Sequence, residues 1–364
     1  FGYFQNDGTA WQCKGGNGAG GGSDGVRRHH IWHHDAKKVG GRWDGSDGIN
    51  GTDDHIVSWN VVASLLCKGD YHRVINNVGL FSHDPTDNML KIDMGSDTND
   101  VKNGNTRTYN NLADSISAAR SGYTPLNGDA QNNWNGYDHP DPSDNAADQL
   151  RDPKNLDFRP RATSDLIDQG TVEAGINDDH MGTAPDIGAY EFGCTNYWIP
   201  GYQADEAITP VPPSGSTTVK ADADLMWLAG RDATSHDIYF GTSSGSLAFL
   251  TNQVNNVFEP GDLTEGQTYF WRIDEVTPTG TVTGTEWSFT PGAEISTAFA
   301  SFYPVDDTYA AYDISNPGTA TGINGSKTSI AFKSSNDGSE EKHGYMKFDV
   351  AVSGEVVSAT LMLH

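Results

Sequence analysis

Apolar residues in this chain come in short alternating bursts rather than in helical stripes. In the N-terminal half, four six-residue segments align without gaps. They are His30-Ile31-Trp32-His33-His34-Asp35, His55-Ile56-Val57-Ser58-Trp59-Asn60, His72-Arg73-Val74-Ile75-Asn76-Asn77 and Thr106-Arg107-Thr108-Tyr109-Asn110-Asn111. Each reads as one strand ending in Asp or Asn. The spacing between segments is too irregular for a helical solenoid. It suits a parallel β-helix, where loop insertions vary the rung length and strands stack about 4.8 Å apart. Asn repeated at one turn position predicts an amide ladder that satisfies its own side chains. A second register follows the first three segments at Gly41–Gly45, Cys67–Asp70 and Leu90–Asp93, each with a basic residue shortly before Asp. Farther on, Tyr269-Phe270-Trp271-Arg272-Ile273-Asp274 alternates with period two, as a half-buried strand does. A Pro-rich stretch, Ile208–Ser216, reads as a joint before that zone, and Pro291-Gly292 as its end.

Composition supports an all-β reading. The chain has 364 residues, 42 Gly and 16 Pro, a vocabulary of turns and short strands. Nine Trp, fourteen Tyr and fourteen Phe supply core material and argue against disorder. No apolar run approaches the roughly 20 residues of a membrane span. Lys and Arg total 23 against 49 Asp and Glu, a net charge of −26 spread along both halves. That charge repels nucleic acid and anionic membranes, so neither is an expected partner. Three cysteines make no disulfide framework. A start at Phe1 and a finish inside an apparent strand, Thr360–His364, suggest a piece of a longer secreted protein.

Three resemblances follow. Asn155–Pro160, Leu166–Gly170 and Ala184-Pro185-Asp186-Ile187-Gly188-Ala189-Tyr190-Glu191-Phe192 resemble the closing coil of secreted bacterial right-handed parallel β-helix proteins, relatives of polysaccharide lyases among them. Leu225–Trp227, His236–Gly241, Tyr269–Asp274 and Glu286–Thr290 resemble the strands of a fibronectin type III-like sandwich. Asp306–Tyr309, Gly344–Asp349 and Ala359–Leu363 resemble the opening strands of a carbohydrate-binding sandwich attached to alginate lyases. The implied fold is all-β: a right-handed parallel β-helix over 1–200, an immunoglobulin- or fibronectin-like sandwich over 201–296, and a truncated binding sandwich over 297–364. The implied setting is the bacterial exterior or cell surface.

The chemistry follows from charge and resemblance together. Six of the twelve histidines lie between positions 29 and 72. Pairs four apart would grip zinc on a helix, but on a strand they lie about 13 Å apart. Eliminative cleavage of a uronate polymer needs a clamp for the sugar carboxylate and a base for its α-proton. Lys68, His72 and Arg73, joined by Arg42 and His55 from the rung below, are the candidate catalytic set. The competing reading pairs Arg42 with Asp44 and Lys68 with Asp70 as surface ion pairs between rungs. Asp44, Asp47, Asp53 and Asp54 are candidate calcium ligands in an acidic loop, and Asp138–Asp144 is a second acidic loop. The expected function is binding of an anionic (uronate or sulfated) polysaccharide, extended to its cleavage by lyase or hydrolase chemistry. The rival is a non-catalytic cell-surface or matrix protein that assembles with itself into an oligomer or filament.

Overall fold

The computed structural model describes residues 9–14, 23–34, 39–44, 49–82, 88–91, 104–120, 122–140, 144–292, 306–313, 320–325 and 340–347. The chain divides into two compact units, 1–294 and 295–364. The architecture is all-β. The described helical turns are two short 3-10 turns, Ala146–Gln149 and Pro153–Asn155. No helix among the described residues is long and apolar enough to cross a membrane.

Among the described residues the first unit begins with thirteen strands: β1 (Thr9–Lys14), β2 (Ser23–His34), β3 (Val39–Asp44), β4 (Ile49–Trp59), β5 (Ala63–Cys67), β6 (Arg73–Ile75), β7 (Val78–Leu80), β8 (Leu90–Lys91), β9 (Arg107–Tyr109), β10 (Leu112–Ala113), β11 (Ile116–Ser117), β12 (Asp129–Gln131) and β13 (Trp134–Asn135). All their pairings are parallel. One ladder runs β1-β3-β5-β8-β11. The other runs β12-β9-β6-β4-β7-β10-β13, with β2 also on β4. Strand β4 serves both arms of this second ladder: Thr52–Asp54 pair with β6, and Val57–Trp59 pair with β7.

A corner separates the two arms, and its residues explain the repeat. His30, His55, Asn76, Asn110 and Asn132 all adopt left-handed backbone, with φ between 50° and 56°. Asn tolerates that region better than most residues. The register makes His55 equivalent to Asn76, because Asp54 faces Ile75 and Val57 faces Val78. The gapless alignment of His55–Asn60 with His72–Asn77 is therefore four residues out of step. Its other matches hold: Ile31 faces Ile56, and Arg73 faces Arg107. The repeated histidine misled the alignment: the register sets His72 beside Gly51, one position before the Thr52–Arg73 pair, and not beside His55.

The amide ladder forms one position beyond the corner. The Ile56 N–H donates to Asn77 Oδ1 (3.0 Å), the Asn77 N–H to Asn111 Oδ1 (3.0 Å), and the Asn111 N–H to Asn133 Oδ1 (3.0 Å). Asn77 and Asn111 are in it as expected. Asn60 is not, because of the register slip, and Asp35 lies outside the described residues. Apolar columns run beside the amides. Val57, Val78, Leu112 and Trp134 share one register and are buried, as are Leu65, Leu90 and Ile116 in the other ladder. Each such side chain stabilises by about 1.5–3 kcal/mol.

Residues 144–200 fold back against the rungs. Strands β14 (Leu150–Asp152) and β15 (Asp157–Pro160) form an antiparallel pair. The segment 166–190 caps the corner asparagines. Asn76 Nδ2 donates to the Asp186 and Gly188 carbonyls (2.9 and 2.8 Å), and Asn110 Nδ2 to the Thr171 carbonyl (2.8 Å).

The remainder of this unit holds β16 (Ile208–Val211), β17 (Ser216–Val219), β18 (Leu225–Leu228), β19 (Ser235–Gly241), β20 (Ala248–Gln253), β21 (Val257–Phe258), β22 (Tyr269–Thr277), β23 (Gly280–Val282) and β24 (Trp287–Pro291). One sheet is β16-β18-β21. The other is β17-β24-β22-β19-β20, with β23 on β22. Trp227 from the first sheet and Ile238, Trp271, Ile273 and Phe289 from the second share one buried cluster, so the sheets pack face to face. The Pro-rich stretch is not a free joint: half of it is β16. These sheets are bonded to the segment 144–200 through Asn155 Nδ2 to the Thr218 carbonyl (3.1 Å), Arg159 Nη2 to Asp224 (2.8 Å) and Asn256 Nδ2 to the Tyr197 carbonyl (2.8 Å). Val211 and Met226 complete a core cluster that starts at Val57.

The second unit is described as β25 (Asp306–Asp313) between β26 (Ala320–Gly325) and β27 (Glu340–Lys347), all antiparallel. Residues 359–364, read as a strand, lie outside the described residues.

Candidate functional site

Strand alternation breaks up the expected catalytic set. His72 is buried, whereas its neighbour Arg73 is 44% exposed, because successive strand residues face opposite ways. Lys68 is 2% exposed. The Gly51 N–H donates to His72 Nδ1 (3.1 Å), so His72 Nε2 carries the proton and donates to the Lys68 carbonyl (2.9 Å). Both imidazole nitrogens thus serve backbone groups, and His72 pegs two rungs together. His55 sits at the corner, stacked on His30 with ring centroids 4.7 Å apart, and its Nδ1 lies 3.0 Å from Asp54 Oδ1. Arg42 lies on β3, where only its backbone is described. Its register partner is Leu66, which in turn faces Lys91, so Arg42, Lys68 and Lys91 do not form one column. Lys68 instead follows β5 and donates its N–H to the Trp43 carbonyl (3.0 Å). Sequence proximity is not convergence here: Lys68 and His72 are interior, and Arg73 is exterior.

The acidic-loop expectation also changes. Asp53 and Asp54 lie within β4, not in a loop, and both are buried. Asp53 shares an inward column with Val74 and Thr108 and accepts from Trp43 Nε1. Asp54 shares the next column with Ile75 and Tyr109 and meets His55. Their carboxylates point to opposite faces and do not share one ion. Asp44 ends β3, with backbone alone described, and Asp47 lies outside the described residues. In the second acidic region, His139 lies between Asp144 and Asp165, each 3.9 Å from a ring nitrogen, and stacks on Trp134. Residues 141–143 lie outside the described residues.

What the rungs do bring together is an outward strip on β6, β9 and β12. Arg73, Arg107 and Asp129 occupy one column on three successive strands. Arg107 Nη1 donates to Glu173 Oε1 (2.9 Å), and Arg73 Nη1 lies 3.6 Å from the same oxygen. The arginines are 52% and 44% exposed, whereas the Glu173 side chain is 8% exposed. Glu173 is held in a turn: its N–H donates to Asn177 Oδ1 (2.7 Å), and its carbonyl accepts from the Ile176 N–H (3.0 Å). The hydrogen bond it donates to Glu173, and then the charge of Glu173, raise the Arg107 pKa, so this guanidinium stays charged. Beyond the pair, Tyr109 donates to Asp129, which also accepts from Gln131 Nε2 (2.8 Å). Burial first, and then the bond to Asp129, push the Tyr109 hydroxyl up to about 12. The bonds from Tyr109 and Gln131 in turn lower the Asp129 pKa. Two guanidinia therefore share one recessed carboxylate on an open face. Arg107 and Glu173 were not among the expected site residues. The signal for Arg107 was present, since the gapless alignment sets it opposite Arg73. Glu173 carries no such signal, because its place depends on a fold-back from 66 residues away.

The segment 166–192 holds a second group of carboxylates. The Asp186 side chain accepts from the Asp168 N–H (2.7 Å) and the Phe192 N–H (2.5 Å). Glu191 accepts from the Asp186 N–H (3.1 Å) and the Met181 N–H (3.2 Å). Burial, and then the charge of Asp186, push the Glu191 carboxyl up to about 7. Burial also raises Asp186, while backbone N–H donors from Ala184 and Thr183 lower Asp168. The consequence for stability has a definite sign. An unfolded Glu loses its proton near 4.5, whereas folded Glu191 keeps it to about 7. Stability should therefore fall as pH rises between those values, by on the order of 1–3 kcal/mol for this group. Thermal melts at a series of pH values check this. The variant Glu191→Gln should show a flatter slope over that window, and an unchanged slope would place the titration elsewhere.

Comparison with protein-family models, curated proteins and solved structures finds no match to this chain.

Proposed function

We propose that this chain is an extracellular polysaccharide-binding protein. In this reading its first 200 residues are the C-terminal part of a parallel β-helix, followed by a fibronectin type III-like sandwich and a further carbohydrate-binding sandwich. The bound polymer is anionic, a uronate or a sulfated glycan, and its acidic groups meet Arg73 and Arg107.

One observation carries the reading. In a chain of net charge −26, two exposed guanidinia stand on adjacent rungs with one recessed carboxylate between them. Adjacent rungs lie about 4.8 Å apart, comparable to the length of one sugar unit in a polymer. Arg matches carboxylate and sulfate oxygens in a bidentate fork. Glu173 and Asp129 offset the charge of the two arginines, so the hold on an anion rests on their water-facing guanidinium donors rather than on a net positive field. Binding is favoured over cleavage, since cleavage needs a base beside the clamp. At the strip, Tyr109 holds its proton to about 12, Glu173 is committed to the arginines, and Asp129, its pKa lowered by the bonds from Tyr109 and Gln131, is a weak base.

The test is affinity electrophoresis or calorimetry with alginate, polygalacturonate, a sulfated galactan and a neutral glucan. The double variant Arg73→Ala/Arg107→Ala should weaken binding to the acidic polymers by about 10- to 100-fold, as loss of two charged hydrogen-bond donors implies. Glu173→Gln should strengthen it by freeing both guanidinia. Binding that ignores all three substitutions would remove the strip from the site. Absorbance from an unsaturated product would show that the chain also cleaves.

A further inference from the structure

We infer that the outer surface of β20 is a homotypic contact, through which two copies of this chain associate about a two-fold axis. Strand β20 ends its sheet: it pairs with β19 on one side, and no described strand lies beyond it. Its side chains are unusually apolar for such a position. Phe249 is 53% exposed and Leu250 46%, and Val254, one residue past the strand, is 72% exposed. The register skips Leu250, since Ile238 faces Thr251 and Tyr239 faces Phe249. A bulge of this kind re-aims a side chain, and here it leaves both Phe249 and Leu250 in water. Phe249 is braced from behind by Tyr239, edge to face at 5.6 Å.

Charge selects the occupant. From Ile238 to Phe258 the chain has 21 consecutive residues without Asp, Glu, Lys or Arg, its longest uncharged run. Elsewhere a net charge of −26 makes two copies repel. A second copy therefore meets least repulsion where both partners present this run. A charged partner would gain no steering there, and edges that natural sheets keep apart usually carry charge or Pro. None occurs along this strand. In an isologous contact each patch faces its twin, which removes both sets of apolar groups from water at once.

The experiment is sedimentation velocity of the full chain over a wide concentration range, at low and high salt. Concentration-dependent dimers are expected, and salt should strengthen them by screening the acidic surfaces. Association through opposite charges would weaken instead. Phe249→Ser/Leu250→Ser should weaken dimerisation by at least about tenfold, the scale of a buried apolar anchor, with a melting temperature close to the parent's when both are compared at concentrations where the parent is monomeric. Tyr202→Ser, exposed elsewhere, should leave dimerisation unaltered. A cysteine at 250 should give crosslinked pairs on oxidation. A chain that stays monomeric at high concentration and salt, or a dimer indifferent to the double variant, overturns the inference. A neutral glucan that binds the monomer and is lost in that variant would name a sugar as the occupant.

Discussion

Asn111→Ala should cost the rung stack about 3–5 kcal/mol, read as a shift in the denaturant midpoint of the unit 1–294. Asn111 Oδ1 accepts from the Asn77 N–H (3.0 Å) and Asn77 Nδ2 (2.9 Å). Its Nδ2 donates to the Val74 carbonyl (2.8 Å), the Tyr109 carbonyl (3.0 Å) and Asn133 Oδ1 (2.8 Å). Alanine removes every one of these contacts at a site closed to solvent. Each buried group left unsatisfied costs about 1–3 kcal/mol, and the losses do not add fully because the groups share one network. Asn111→Asp should be no better, since a carboxylate oxygen would face the Val74 carbonyl. A loss under about 1 kcal/mol would mean that the ladder decorates the coil rather than holding it.

Gly51→Ala should destabilise by about 3 kcal/mol through overpacking. A β-carbon at Gly51 would lie 2.2 Å from Trp43 Cε2 and 2.3 Å from Cζ2. The indole cannot swing away easily: Trp43 is fully buried and its Nε1 donates to Asp53. The backbone cannot shift easily either, because the Gly51 N–H is bonded to His72. Relief should come from the other partner. Trp43→Leu opens space, so the double variant Gly51→Ala/Trp43→Leu should be more stable than the two single losses summed. Denaturant melts of all four proteins close the cycle. Additive losses would show that the clash is absorbed elsewhere.

Several features are legible in the sequence itself. Alternation in Tyr269–Asp274 placed β22, with Trp271 and Ile273 on its buried face. The equivalence of His72–Asn77 with Thr106–Asn111 placed Arg73 beside Arg107 and Asn77 beside Asn111. Local pattern suffices there, because period-two alternation and a repeated turn residue are properties of consecutive positions. The misreadings share one cause. Lys68, His72 and Arg73 look like a cluster in the sequence, yet their facing depends on where each strand starts and bends. Matching His55 to His72 set the alignment four residues out of step, because the register places His55 beside Asn76, and Asn60 therefore falls outside the amide ladder.

The sequence alone determined the class of structure: a turn-rich all-β chain of short strands with a strongly acidic net charge. These follow from composition and periodicity, which act locally. Tertiary structure alone decided which side chains meet. It set Glu173 between two arginines, laid the 166–190 segment over Asn76 and Asn110, and left the uncharged β20 as a sheet edge. Those outcomes depend on contacts between residues tens to more than a hundred positions apart, fixed only when the stacked rungs and the fold-back bury their shared core.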